Sequence, residues 1–248
     1  MAKALYFECN AGISGDMTLG ALVDLGADLD IIKTELSKLH IHGEYLLVAN
    51  KIQKNGINGT DLDVVIKDIE DHHHEHNSFK SIKKMIQDSE LAPQVKKMSV
   101  NIFTVIAKAE AAVHETTLEK VAFHEVGAVD SILDIVGTAI AVDLLGIDEI
   151  YCSQVHDGTG FIECRHGTIP VPVPAVMEMM KDSHIPVVIN EDVKTEMVTP
   201  TGFGILEGLN ATFISMIEIN VEDVGYGFGN RDTGLFSAVR VIRGQVSE

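Results

Sequence analysis

The sequence predicts a mixed α/β fold, with a helix-rich N-terminal half and a strand-rich C-terminal half packed as one compact unit. Three observations predict it. Val95, Met98, Ile102, Val105 and Ile106 recur at helical spacing in the first half. Short apolar runs broken by glycine and proline fill the stretch from Glu149 to Val173. Strand and helix signals alternate from one end of the chain to the other, which favours helices layered on a sheet over an all-helical bundle.

Residues 3–8 read as a first strand. The turn Gly12-Ile13-Ser14-Gly15-Asp16 follows, then a helix to about Leu25. Ser14 suits the N-cap and Asp16 suits the positive helix start. A second helix runs from about Leu29 to Leu39. Residues 44–53 and 57–67 read as strands around Asn55-Gly56, a hairpin-turn signal. Helices follow at about 78–87, 93–114 and 127–145. Pro170, Pro172 and Pro174 predict an extended, polyproline-like lead into a helix near 175–181. Another helix starts at Pro200-Thr201-Gly202 and ends near Leu209. Residues 214–222 and 236–243 read as closing strands, with Gly225 to Asp232 as a glycine-bearing loop between them. No repeat or linker is visible. Residues 1–248 therefore read as one domain, with lobes 1–146 and 147–248 as the alternative.

Composition narrows the function. The chain carries 37 acidic and 19 basic residues, a net charge of −18. That argues against nucleic acid and anionic membranes, which need a basic surface, and suits the attraction of cations. Cys9, Cys152 and Cys164 are odd in number and form no CxxC pair, so neither a zinc knuckle nor a disulfide framework is indicated. A reducing, cytoplasmic compartment is expected. The short, quickly acidic N-terminus does not read as a signal peptide, and no apolar run approaches the ~18 residues of a membrane helix.

The segment Phe123 to Asp134 places His124, Glu125, Asp130 and Asp134 among apolar residues. Each is a possible metal ligand, and unpaired buried charge is costly. Asp130 and Asp134 lie four apart on one helix face, mutually repulsive without a cation or basic partner. The ordinary structural reading is that they are helix-start charges favoured by the macrodipole, which accounts for Asp130 better than for Asp134. His72, His73, His74 and His76 flank Glu75 in a segment with no core pattern. Neutral imidazoles there can capture nickel, zinc or copper, or form only a solvated polar loop. Glu110 and His114 share a helix face, as a surface pair or as further metal ligands.

Gly12, Ser14, Gly15 and Asp16 follow a strand and open a helix, a place where backbone N–H groups can cradle a phosphate. Asp16 would repel a bare phosphate, so a bridging metal would be required. The turn lacks the lysine and spacing of a P-loop, and no GxSxG elbow occurs. Arg165-His166-Gly167 and Thr199-Pro200-Thr201-Gly202 are further polar glycine loops that could approach a ligand or serve as plain turns. Arg165, His166 and Thr201 join the Gly12–Asp16 turn as candidate substrate- or cofactor-binding residues.

Taken in order, six motifs resemble one family: Gly12 to Met17, the His-rich segment, Phe123 to Asp134, His166 to Pro172, Thr199 to Gly202 and Gly225-Tyr226-Gly227. The chain resembles the N-terminal domain of the LarC-type nickel insertion proteins over essentially its whole length. The resemblance implies insertion of nickel into pyridinium bisthiocarboxylic acid mononucleotide, giving the nickel-pincer nucleotide cofactor of lactate racemase. It implies a nickel chelatase of the lyase class, completed by a C-terminal domain that carries the CTP site with manganese or magnesium. By that reading this chain is a fragment or a natural short product, and it does not itself bind CTP. His124 and Glu125 are the candidate bases for the proton released on metallation. A non-catalytic nickel storage or delivery protein and a generic divalent-metal hydrolase are the rival readings. Homo-oligomerisation stays open.

Overall fold

The computed structural model of the protein describes residues 1–41, 45–66, 78–123, 129–164 and 166–246. In chain order the elements are β1 (Ala2–Glu8), α1 (Gly15–Asp24), α2 (Leu29–Leu36), β2 (Tyr45–Lys54), β3 (Ile57–Ile66), α3 (Phe79–Asp88), α4 (Pro93–Val113) and α5 (Val129–Leu145). Then come β4 (Glu149–Cys152), β5 (Val155–Asp157), β6 (Gly160–Cys164), β7 (Gly167–Val171) and α6 (Pro174–Asp182). β8 (Val187–Ile189), α7 (Pro200–Gly208), β9 (Thr212–Phe213), β10 (Ile219–Phe228) and β11 (Ala238–Val246) complete it.

The fold is mixed α/β. Its main sheet has the order β2-β3-β10-β11-β1-β4-β9, so both ends of the chain contribute to one sheet. β1 lies antiparallel to β11 and parallel to β4, with Ala4, Leu5 and Phe7 fully buried. The β2–β3 hairpin turns at Asn55-Gly56, both at positive φ, as that dipeptide demands. Two smaller pairs, β5 with β8 and β6 with β7, sit outside the main sheet.

Helix α1 lies directly on the sheet, and glycine is what lets it do so. A Cβ on Gly225 would stand 2.3 Å from Ala21 O, and one on Gly227 would stand 1.8 Å from Met17 O. This corrects the sequence expectation around 214–232. Gly225-Tyr226-Gly227 belongs to strand β10, not to a loop, because the glycines serve helix–strand approach rather than a turn. The polyproline-like lead is corrected too: residues 167–171 pair with β6 as a hairpin, and Pro174 opens α6 at the position where its missing N–H is harmless. α5 packs against α1, and its buried residues include Ile132, Leu133, Ile135, Val136 and Ala139. α4 joins α5, α6 and α7 in the same helical layer. Among the described residues no helix is long and apolar enough to cross a membrane.

Candidate metal centre

Two helix starts meet, those of α1 and α7. Gly12, at φ +83°, turns the chain back over residues 197–199. Ile13 N–H donates to Met197 O at 2.9 Å, and Thr199 N–H donates to Ile13 O at 3.0 Å. A Cβ on Gly12 would stand 2.0 Å from Met197 O, and one on Gly202 would stand 2.2 Å from Ile13 O. Only glycine permits this approach. The positive ends of α1 and α7 are thereby brought side by side. Thr199 caps α7 by accepting from Gly202 N–H at 3.1 Å. Ser14 holds the N-cap position of α1 without capping it; its hydroxyl donates instead to Asp16.

Asp134 enters this junction from the second turn of α5. A Cβ on Gly15 would stand 2.6 Å from Asp134 Oδ2 and 2.8 Å from Thr201 Cγ2. Gly15 and buried Thr201 are therefore the walls of the notch that holds the Asp134 carboxylate. The residue keeps some exposed surface, yet its Oδ1 is sealed from solvent with no hydrogen-bond partner. Burial pushes the Asp134 carboxyl well above the usual carboxylate range, and the charges of Asp16 and Asp130 push it further. Burial also raises Asp16, against the opposing effect of the Ser14 hydroxyl and the backbone N–H groups of Met17 and Asp16. The two carboxylates are thus close enough to repel, and ionising both is unfavourable. A divalent cation bound by both would remove that penalty.

The other sequence candidates separate. Asp130 is exposed and its Oδ1 accepts from Ser131 N–H at 2.8 Å, as a helix-start carboxylate does. Glu110 and His114 meet at 3.2 Å at the end of α4, and the His166 ring lies 5.1 Å from that of His114. Both imidazoles open on a different cavity from the one Asp16 lines. His72, His73, His74, His76, His124, Glu125 and Arg165 lie outside the described residues. Among the described residues no three His, Cys, Asp or Glu side chains are grouped to hold a metal. Burial pushes the Cys9 and Cys152 thiols up, Cys152 to about 12.

Sequence reasoning missed Asp157. It is fully buried, and its Oδ1 accepts from Gly158 N–H at 2.8 Å, Met197 N–H at 2.8 Å and Val198 N–H at 3.1 Å. It fixes the segment that crosses the Gly12 turn. That segment also carries Glu196, which is buried and bound to Arg231 at 2.6 Å. The one local signal, an Asp-Gly pair after a short strand, is shared by many ordinary turns.

Comparison of sequences names the family. The sequence model for nickel insertion proteins matches residues 5–248, and the chain belongs to that family. Among its relatives is the pyridinium-3,5-bisthiocarboxylic acid mononucleotide nickel insertion protein of Acetivibrio thermocellus, 52% identical over 99% of this chain. The protein of the same description in Lactiplantibacillus plantarum is 47% identical over 97% of this chain. A putative nickel insertion protein of Dictyoglomus thermophilum is 42% identical over 99% of it. The chain spans 61% of the length of the first two relatives. No solved structure matches.

Proposed function

We propose that this chain binds nickel and takes part in its insertion into pyridinium-3,5-bisthiocarboxylic acid mononucleotide, forming the nickel-pincer cofactor of lactate racemase. It acts in the cytoplasm as the metal-handling part of a nickel chelatase of the lyase class. A C-terminal domain supplies the CTP site and its manganese or magnesium. The observation that carries the reading is the Asp134 carboxylate, enclosed between Gly15 and Thr201 beside Asp16, with Oδ1 unpartnered. In a chain of the nickel insertion family, such a pair of oxygen donors is a holding site for the incoming ion.

The chemistry favours transfer over storage. Carboxylates hold nickel weakly, whereas the softer sulfur donors of the two thiocarboxylates hold it strongly, so the ion moves from protein to substrate. As it does, the ring C–H bond breaks. Its electron pair forms the carbon–nickel bond, and its proton passes to a base. His124 and Glu125, close in sequence to the start of α5, remain the candidates for that base.

The test uses the full-length protein with Asp16→Asn and Asp134→Asn. Nickel affinity is read by calorimetry, and cofactor formation by activation of apo lactate racemase. Each variant should lose about 10–100-fold in both, at least the loss typical of removing a group that merely supports a metal ligand. Cofactor formation at the wild-type rate in Asp134→Asn would sink the holding-site reading. Tight nickel binding by wild type with no cofactor formed would favour a delivery protein.

A further inference from the structure

We infer that the substrate lies across two adjoining cavities, with its thiocarboxylate edge in the one that Asp16 lines and its ribose phosphate in the next. The inference rests on the nickel-insertion reading and adds to it the place and orientation of the organic partner. In a 3,5-substituted pyridinium the two thiocarboxylates flank ring carbon 4, and the ring nitrogen that bears the ribose lies opposite that carbon. Nickel joins the carbon and both sulfurs. The thiocarboxylate edge must therefore reach the ion-holding carboxylates, and the sugar must point away from them.

The inner cavity, of about 180 Å³, is lined by Asp16 and by the hydroxyl-bearing Ser14, Thr199, Thr233 and Ser237. Thr199 Oγ1 accepts from Gly202 N–H at 3.1 Å, and Thr233 Oγ1 accepts from Leu235 N–H at 3.3 Å. Each thus keeps its own hydroxyl hydrogen to donate to a ligand. Ser237 stands against the first turn of α1: a Cβ on Gly229 would lie 2.9 Å from both Ser237 Oγ and Met17 Sδ, and Met17 follows Asp16. Donor hydroxyls beside the ion-holding carboxylate are what anionic thiocarboxylates need in a chain of net charge −18. Arg231 also borders this cavity, but it is closed in an ion pair with Glu196 at 2.6 Å, so the hydroxyls do the recognising.

The outer cavity, of about 380 Å³, shares Ala11 with the inner one. Ser237 lines the inner cavity, while its neighbours Phe236 and Ala238 line the outer. The outer walls carry Ile57 and Leu235, 37% and 48% exposed. Apolar side chains left in water at a cavity gain by being covered, and the flat ring and the sugar cover them. Sites for whole small molecules run to about 300–1,000 Å³, so the inner cavity is too small for the mononucleotide and the outer one is not. The ring then crosses at Ala11, with the phosphate at the open side in water.

The test is calorimetric titration of full-length protein with the nickel-free pyridinium-3,5-bisthiocarboxylic acid mononucleotide, with nickel affinity measured on the same samples. Thr233→Val and Ser237→Ala each remove one hydroxyl from a half-buried position and leave the core alone. Each should bind the substrate about tenfold more weakly, the scale of a lost hydrogen bond to a charged group, with nickel affinity unchanged. Leu235→Asp puts a like charge beside the phosphate. It should weaken binding about fivefold, the scale of one Coulomb repulsion across water, and the loss should shrink as salt is raised. Unchanged substrate affinity in both hydroxyl variants would overturn the assignment. A parallel loss of nickel affinity would overturn it too, because the hydroxyls would then act through Asp16. No effect of Leu235→Asp at low salt would overturn the orientation. Weakened substrate binding in the hydroxyl variants, with wild-type nickel affinity in Asp16→Asn, would sink the holding site and leave the substrate cavity standing.

Discussion

Asp134 and Asp157 are both enclosed carboxylates with one oxygen unpartnered, and burial raises both. Their surroundings differ. Asp157 collects three backbone N–H groups on Oδ1 and feels the positive charge of Arg231. Asp134 faces a second carboxylate, a glycine and a methyl group. The first is a strut, whose burial is offset by the backbone it holds. The second is offset by nothing among the described residues, which is the condition of a ligand site. Burial and a raised pKa do not separate the two cases; the partners do.

The comparison breaks most visibly at the strut. Asp157→Ala leaves three buried N–H groups without an acceptor, at about 1–3 kcal/mol for each group left unpaired. With partial relaxation the loss is on the order of 3 kcal/mol, a fall in Tm of about 6–12 °C for a chain of this size. A melt within 2 °C of wild type would show that Asp157 is not holding the 196–199 segment.

Asp134 should behave in the opposite way. Folding raises its pKa, so the folded chain binds a proton there more tightly than the unfolded chain. Its contribution is most favourable below the unfolded value of about 3.9 and declines as pH rises through the window up to the raised folded value. Asp134→Asn should therefore melt higher than wild type at neutral pH without metal, by about 2–4 °C per kcal/mol recovered. It should flatten the decline above pH ~4. Nickel should narrow or reverse the gap by stabilising wild type more than the variant. Melts at pH 5 and pH 8, with and without nickel, check both halves, and a variant less stable than wild type under metal-free conditions would refute the argument.

The smallest effect is expected at His72, His73, His74 and His76. Replacing all four with Ala should leave stability unchanged to within about 0.5 kcal/mol, because their segment has no core pattern in the sequence. Nickel loading of the full-length protein should fall only when the metal is scarce. Wild-type loading at limiting nickel would remove the capture role.

Much of the fold was legible because its signals are local. The Asn55-Gly56 turn, Pro93 and Pro200 at helix starts and the apolar stripe of α4 each lie within a dozen residues and mean the same thing wherever they occur. Reading failed where a residue's role depends on something distant. Gly225 and Gly227 carry an ordinary turn signature, yet they lie flat in β10 because the backbone of α1 rests on them.

By itself, the sequence determined which segments become helix or strand, an excess of negative charge and a set of candidate ligands in a recognisable order. The tertiary structure alone decided which candidates meet. It placed Asp134 beside Asp16, set Asp130 out in solvent, and put His114 against His166 at a separate cavity. The physical reason is that desolvation is not a local property. Whether a carboxylate becomes a strut, a surface charge or a ligand depends on which backbone approaches it, and here that was decided by glycines at 12, 15 and 202 that bring remote segments into contact.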